Sequence, residues 1–269
     1  MSDTLLRNLF KKYKSDKYNH RYFKIYETYL KNFKRRKIKL LEIGVADGSS
    51  VKAWSKFFKK GKIVGIDIKE IDKKKLQIKS KNIDLLKGSQ SNLIFLDKLV
   101  NKYKSFDFII DDGSHFPKDV IKSFKFLFPY LKKGGIYFIE DTQTSYNHFF
   151  GGNPFDLKYA NTHLNFFKNL SDSLNYKEIP NPFYIKNSFD GFISNVSFYR
   201  NIVVITKNIN NMESNLVLNN SYEKKRYLTK TKRNKNKMKY FFKYLVLFRI
   251  YTLILFIYSL IKRLILLRF

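Results

Sequence analysis

The 269-residue sequence has no cysteine. That excludes disulfides, thiolate metal sites and cysteine nucleophiles, and it agrees with a reducing compartment. Acidic residues are few: 22 Asp and Glu face 53 Lys and Arg, a formal net charge of +31. An excess of this size attracts nucleic acid, anionic lipid or acidic glycans. Lysine far outnumbers arginine, however, and nucleic-acid sites lean on arginine forks. The favoured reading is a solvated lysine surface, and no nucleic-acid partner is expected. A signal-peptide core is missing too, because MSDTLLRNLFKKYKSDK holds no apolar stretch of sufficient length. The expectation is therefore a cytoplasmic protein. Nor is there an uninterrupted bilayer-length apolar run: residues 239–269 have about the length, but Lys243, Arg249, Lys262 and Arg263 break it.

What is present points to a folded α/β protein. A hydrophobic fraction of 44% supports a full core. Residues 1–37 carry apolar positions at helical spacing and are read as a helical lid in which His20, Tyr22 and Tyr26 cover a ligand. From Ile38 the pattern alternates. KIKLLEIGV, KIVGIDI, IDLLKGS, FDFIIDDGS and GGIYFIED read as buried strands, with helices between them. FISNVSFY and NIVVITKN follow as a hairpin turning at Arg200 and Asn201. The predicted fold is a Rossmann-like, doubly wound α/β sheet over residues 38–208, mostly parallel and closed by an antiparallel hairpin. A basic linker (209–238) and an apolar helical tail (239–269) complete the chain. The tail is read as an anchor or interfacial helix at the inner, anionic face of the membrane. The bland alternative is a helix pair packed on protein.

A cofactor crevice is expected where the first two strands end. Glu42-Ile43-Gly44-Val45-Ala46-Asp47-Gly48 is a glycine turn that lets backbone approach a ligand, with a helix N-terminus behind it. Asp67 closes the second strand, where a carboxylate accepts ribose hydroxyls. Gln90, in Gly88-Ser89-Gln90-Ser91, lies where an adenine edge would be read. Tyr22 joins this cofactor set from the lid. The cofactor residues are thus Glu42, Gly44, Ala46, Gly48, Asp67, Gln90 and Tyr22.

The fourth and fifth strands deliver Asp111-Asp112-Gly113-Ser114-His115 and Glu140-Asp141 to the same crevice. Like charges repel there unless a cation or protons neutralise them. Asp112, Glu140 and Asp141 are read as ligands of Mg2+, with Mn2+ or Ca2+ as alternatives, and His115 as a general base. Asp111 is read as a turn-capping carboxylate. Trp54 and the stripe Phe124, Phe126 and Phe128 are read as core. His148 and His163 are as easily surface residues.

The set SDK..H.Y...YE, LLEIGVADGSS, GIDI, DFIIDDGSH, IEDTQTSY and FYRNIVVITK resembles the macrolide-sugar O-methyltransferases of the mycinamicin and tylosin pathways. It is also similar to proteins called rhamnosyl O-methyltransferases and cephalosporin hydroxylases. The resemblance spans roughly residues 13–207. It implies an S-adenosylmethionine (SAM) site on the glycine turn, Asp67 and Gln90, metal carboxylates at Asp112, Glu140 and Asp141, and a base at His115. The implied reaction is Mg2+-assisted methyl transfer to a hydroxyl of a sugar, glycan precursor or small natural product. Departures from the pattern are the missing N-terminal domain and the added basic, apolar tail. The remaining partners expected are an anionic membrane surface and a second copy of the chain. A nicotinamide-dependent oxidoreductase and a non-catalytic, membrane-tethered ligand-binding module stay open as alternatives.

Overall fold

Short apolar runs rich in branched residues, each flanked by a helical segment, can bury both faces only in a sheet covered on both sides. The computed structural model has that arrangement. It describes residues 4–70, 74, 80–179, 181, 183–211, 239, 242–250, 252–253 and 257. The strands are β1 (Lys39–Ile43), β2 (Lys62–Asp67), β3 (Ile83–Lys87), β4 (Phe106–Asp111), β5 (Leu131–Glu140), β6 (Ile193–Tyr199) and β7 (Ile202–Lys207). They form one sheet in the order β3-β2-β1-β4-β5-β7-β6. β1 to β5 pair in parallel, whereas β7 runs antiparallel to both β5 and β6. The order reverses beside β1, so the carboxyl ends of β1 and β4 flank a crevice at the switch point.

The helices are α1 (Leu5–Tyr13), α2 (Asp16–Asn19), α3 (Phe23–Leu30), α4 (Ser49–Phe57), α5 (Leu93–Tyr103), α6 (Pro117–Leu127) and α7 (His163–Leu174). Proline opens α6, where a missing N–H costs nothing. Trp54 on α4 is fully buried, edge-on to Phe10 at 5.0 Å and to Tyr26 at 4.9 Å. These contacts lock the N-terminal helices against α4, and truncating such a ring costs about 3–5 kcal/mol. Phe124 and Phe128 are likewise core, while Phe126 is half-buried against Tyr130.

The N-terminal region is three short helices rather than a continuous one. Lys14 and Arg21 each take a left-handed conformation, with φ of 60°. Neither is a glycine, so the breaks carried no local signal. Their effect is to turn α2 so that Lys17 points inward and is fully buried.

The chain divides into two units, one comprising residues 1–174 and 191–210, the other 175–190 and 211–269. The first holds the sheet and every candidate site residue. In the second, a short turn of 3-10 helix covers Tyr176–Glu178, and residues 242–250 are helical. Most of the expected linker and tail lies outside the described residues. Among the described residues, no helix is long and apolar enough to cross a membrane.

Candidate active site

The glycine turn follows directly from β1. Gly44 has φ +85°, and a Cβ there would sit 2.0 Å from the backbone oxygen of Asp112. Only glycine lets the β1 and β4 ends approach so closely. Ala46 (φ 48°) and Gly48 (φ 75°) continue the turn in the left-handed region, and α4 begins at Ser49. Asp67 pins the turn from β2. Its Oδ2 accepts the Val45 and Ala46 amides, each at 2.9 Å, and its Oδ1 accepts the Lys69 amide at 2.9 Å.

Three predicted cofactor residues, Glu42, Gln90 and Tyr22, make their side-chain contacts elsewhere. Glu42 is fully buried beneath the turn and accepts from Ser50 Oγ at 2.9 Å and Trp54 Nε1 at 3.3 Å. Burial pushes its carboxyl up to about 7, against the opposing pull of Lys17. Gln90 is buried, and its amide is turned into the protein. Nε2 donates to Asp111 Oδ1 (3.0 Å) and Oδ2 (3.2 Å) and to Ser123 Oγ (3.2 Å), while Oε1 accepts the Ser114 amide at 2.7 Å. The group is spent on holding the β4 turn. Asp111 also receives Ser123 Oγ at 2.7 Å and the Gly113 amide at 3.4 Å, and burial pushes it up to about 6.

Beside the turn lies a layer of carboxylates. Asp112 and Asp141 each keep one oxygen near His115. Nε2 of His115 is 3.9 Å from Asp112 Oδ1 and 3.7 Å from Asp141 Oδ2. The ligand atoms of Asp112, His115 and Asp141 all lie within 4.8 Å of one another, and all three residues are partly exposed. His115 (φ 59°) and Asp141 (φ 52°) sit in left-handed backbone, which non-glycine residues adopt at a cost of order 1 kcal/mol or more.

The other oxygens are gripped by the N-terminal helices. Lys17 Nζ lies 2.5 Å from Asp112 Oδ2, 2.8 Å from Glu140 Oε1 and 3.6 Å from Glu42 Oε1. Tyr26 donates its phenol to the same Oε1 of Glu140. Tyr22 donates to Asp141 Oδ1 at 2.8 Å and to the Asn201 carbonyl at 3.2 Å. Tyr22 thus joins the lid to the carboxylate layer. Glu140 is buried behind Asp112 and Asp141, outside the three-residue cluster that converges on His115. Burial and the Asp112 charge push its carboxyl well above the usual range. For Lys17, burial favours the neutral amine, but Asp112, Glu140 and Glu42 outweigh it and hold the ammonium well above its ordinary value.

The remaining histidines separate cleanly. His20 is exposed beside Tyr22, and His148 is exposed. His163 is buried, with Nε2 3.1 Å from Ser145 Oγ. Lys17 and Tyr26 are the site residues that sequence reasoning did not assign to the acids. The motif SDK contains Lys17, but nothing distinguishes it from the many surface lysines except its inward turn.

Residues 41–142 match the family model described as a methyltransferase domain. The chain carries a methyltransferase domain. It is 32% identical over 197 residues to the mycinamicin VI 2''-O-methyltransferase of Micromonospora griseorubida, covering 69% of this chain and 47% of that protein. It is 33% identical to the demethylmacrocin O-methyltransferase of Streptomyces fradiae, covering 69% and 48% respectively. Among solved structures, the MycE methyltransferase of the mycinamycin pathway, in complex with Mg and SAH, superposes with a TM-score of 0.75 at 29% identity. That match covers 82% of this chain and 59% of the other. The chain thus spans about half the length of the curated relatives it matches. Its sheet order and closing hairpin are those of a Rossmann-like methyltransferase fold, as the sequence led us to expect.

Proposed function

We propose that this chain transfers a methyl group from SAM to a hydroxyl oxygen of a sugar, borne by a small molecule or glycan, with the help of a divalent cation. The observation that carries the reading is the convergence of Asp112 Oδ1 and Asp141 Oδ2 on His115 Nε2 beside the glycine turn. Two hard oxygen donors on partly exposed residues fit Mg2+, which binds few carboxylates and keeps several waters. Imidazole is a poorer partner for that ion, and His115 is better used as the base. Glu140 stands directly behind, with its Oε1 engaged, as the third acid of the set. The turn fits SAM through its glycine-lined close approach and through Asp67 beside it.

When bound, SAM supplies an electrophilic methyl, and the cation lowers the acceptor hydroxyl's pKa and fixes its direction. Gly44, Ala46, Gly48 and Asp67 hold and orient the cofactor. Asp112 and Asp141 present oxygens to the crevice, and Tyr22 and Lys17 fix their rotamers from behind. His115 accepts the hydroxyl proton at Nε2 as the oxygen takes the methyl. Support for a sugar hydroxyl comes from the relatives above, one of which was solved with Mg, SAH and mycinamycin VI. The nicotinamide and ligand-holding alternatives gain no observation from the fold or the site.

The test is release of S-adenosylhomocysteine from SAM in the presence of a panel of glycosylated acceptors, with Mg2+ or with EDTA. Turnover that needs Mg2+ and is lost in His115→Ala and Asp112→Asn is expected. Failure of the protein to bind SAM or S-adenosylhomocysteine would overturn the proposal.

A further inference from the structure

Lys17 places its ammonium among carboxylates, in a position that a metal ion could also fill. Its side chain has no exposed surface, and its ammonium lies 2.5, 2.8 and 3.6 Å from oxygens of three separate carboxylates. With Asp141 counted, four acids (Glu42, Asp112, Glu140 and Asp141) share this end of the sheet. Three of these carboxylates belong to different strands or strand ends, so no helix or turn geometry brings them together; the sheet register does. Left without a compensating charge, buried carboxylates are strongly destabilising.

The division of oxygens is orderly. Lys17 takes Asp112 Oδ2 and Glu140 Oε1, on the side of the N-terminal helices. His115 faces Asp112 Oδ1 and Asp141 Oδ2, on the side of the crevice. Asp112 thus faces two ways, with Oδ2 held by Lys17 on the inner side and Oδ1 near His115 on the outer side. We infer that Lys17 is a built-in replacement for an inner metal ion, a positioning residue whose ammonium compensates Asp112 and Glu140 and aims them so that the site works with one divalent ion at its outer position. The N-terminal helices are then part of the catalytic architecture, because α2 delivers that charge.

This inference deepens the metal-assisted reading and rests on it for the outer position. It is tested by thermal unfolding of the full chain as wild type, Lys17→Met, Lys17→Arg and the pair Lys17→Met with Glu140→Gln, each in EDTA and in millimolar Mg2+. Methionine keeps the length and removes the charge. In Lys17→Met, Mg2+ is expected to raise the unfolding temperature by at least about 5 °C more than in wild type, a shift worth roughly 2 kcal/mol for a chain of this size. Lys17→Arg is expected to respond as wild type does. In EDTA, Glu140→Gln is expected to return stability to Lys17→Met, because the stranded charge is gone.

Should Lys17→Met be unfolded in EDTA, recovery by Mg2+ or by Glu140→Gln supports the inference, and recovery by neither overturns it. A Lys17→Met protein that is destabilised equally in EDTA and Mg2+ and is not rescued by Glu140→Gln also overturns it, since the lysine is then ordinary packing. Equal unfolding temperatures for Lys17→Met and wild type do so as well. If Mg2+ affects no variant, including wild type, the metal reading fails, and the role of Lys17 is decided by the Glu140→Gln rescue in EDTA alone.

Discussion

Tyr22 donates its phenol to Oδ1 of Asp141 across 2.8 Å, although 119 positions separate the two residues. Burial and the Asp141 charge push this phenol far above its ordinary range, so it remains a donor at any working pH. Partners of this kind orient metal ligands, and their loss costs about 10–100-fold in metal affinity or activity. Tyr22→Phe is therefore expected to weaken Mg2+ binding by about 10-fold while leaving SAM affinity unchanged. Calorimetric titration with each ligand separates the two. Weakened SAM binding with unchanged Mg2+ binding would return Tyr22 to the cofactor set.

Asp67 has a double duty. It pins the Val45 and Ala46 amides and stands where the cofactor ribose is expected. Asp67→Ala removes both, and loss of charged hydrogen bonds of this type costs about 1.5–3 kcal/mol each. At least a 10-fold fall in affinity for S-adenosylhomocysteine is expected, measured by equilibrium dialysis. Unaltered affinity would show that the carboxylate serves the turn alone.

Gly44→Ala would bring a methyl group to 2.0 Å from the Asp112 carbonyl oxygen in a left-handed backbone conformation. The obstacle is main chain on both sides, so no side chain can swing away. A loss on the order of 2–4 kcal/mol is expected from backbone strain and separation of β1 from β4. Urea unfolding gives the loss directly, and an unchanged midpoint would contradict the close approach.

His163 gives a pH signature away from the site. Burial pushes its imidazole down to about 4, with His115 contributing further. The unfolded chain takes up a proton near pH 6.5, whereas the folded chain resists until about 4. Between those values the unfolded state holds more protons, so the contribution of His163 to stability is present above pH 6.5 and lost as pH falls. The full effect is of order 3 kcal/mol. His163→Gln is expected to lose less stability than wild type between pH 7 and 4.5 in urea titrations. Parallel losses would mean that other groups dominate.

Much of this architecture could be read before any coordinates. The central strands β1, β2 and β4 are short, mostly apolar runs leading into glycine or acid, because a strand covered on both faces has no polar side to alternate. The juxtaposition of Asp112, His115 and Asp141 follows from adjacent strand ends opening on one crevice. The direction of a buried polar side chain was harder to read. Gln90 follows a strand as an adenine-reading residue would, yet it turns inward because Asp111 and Ser123 offer it a buried acceptor set. Lys17 was hidden by composition: one inward lysine has no contrast among 53 basic residues. Its inward turn depends on left-handed bends at Lys14 and Arg21, which neither glycine nor proline announces.

The near-contact between Gly44 and the Asp112 carbonyl makes the two halves of the crevice a single ruler. Whatever sits on the glycine turn is held at a set span from whatever sits on Asp112, and that span is written in main chain. The largely exposed stretch that follows the 3-10 turn at Thr142–Tyr146 is not part of the ruler. In the proposed reaction, substitutions in that stretch leave the span between cofactor and acceptor unchanged.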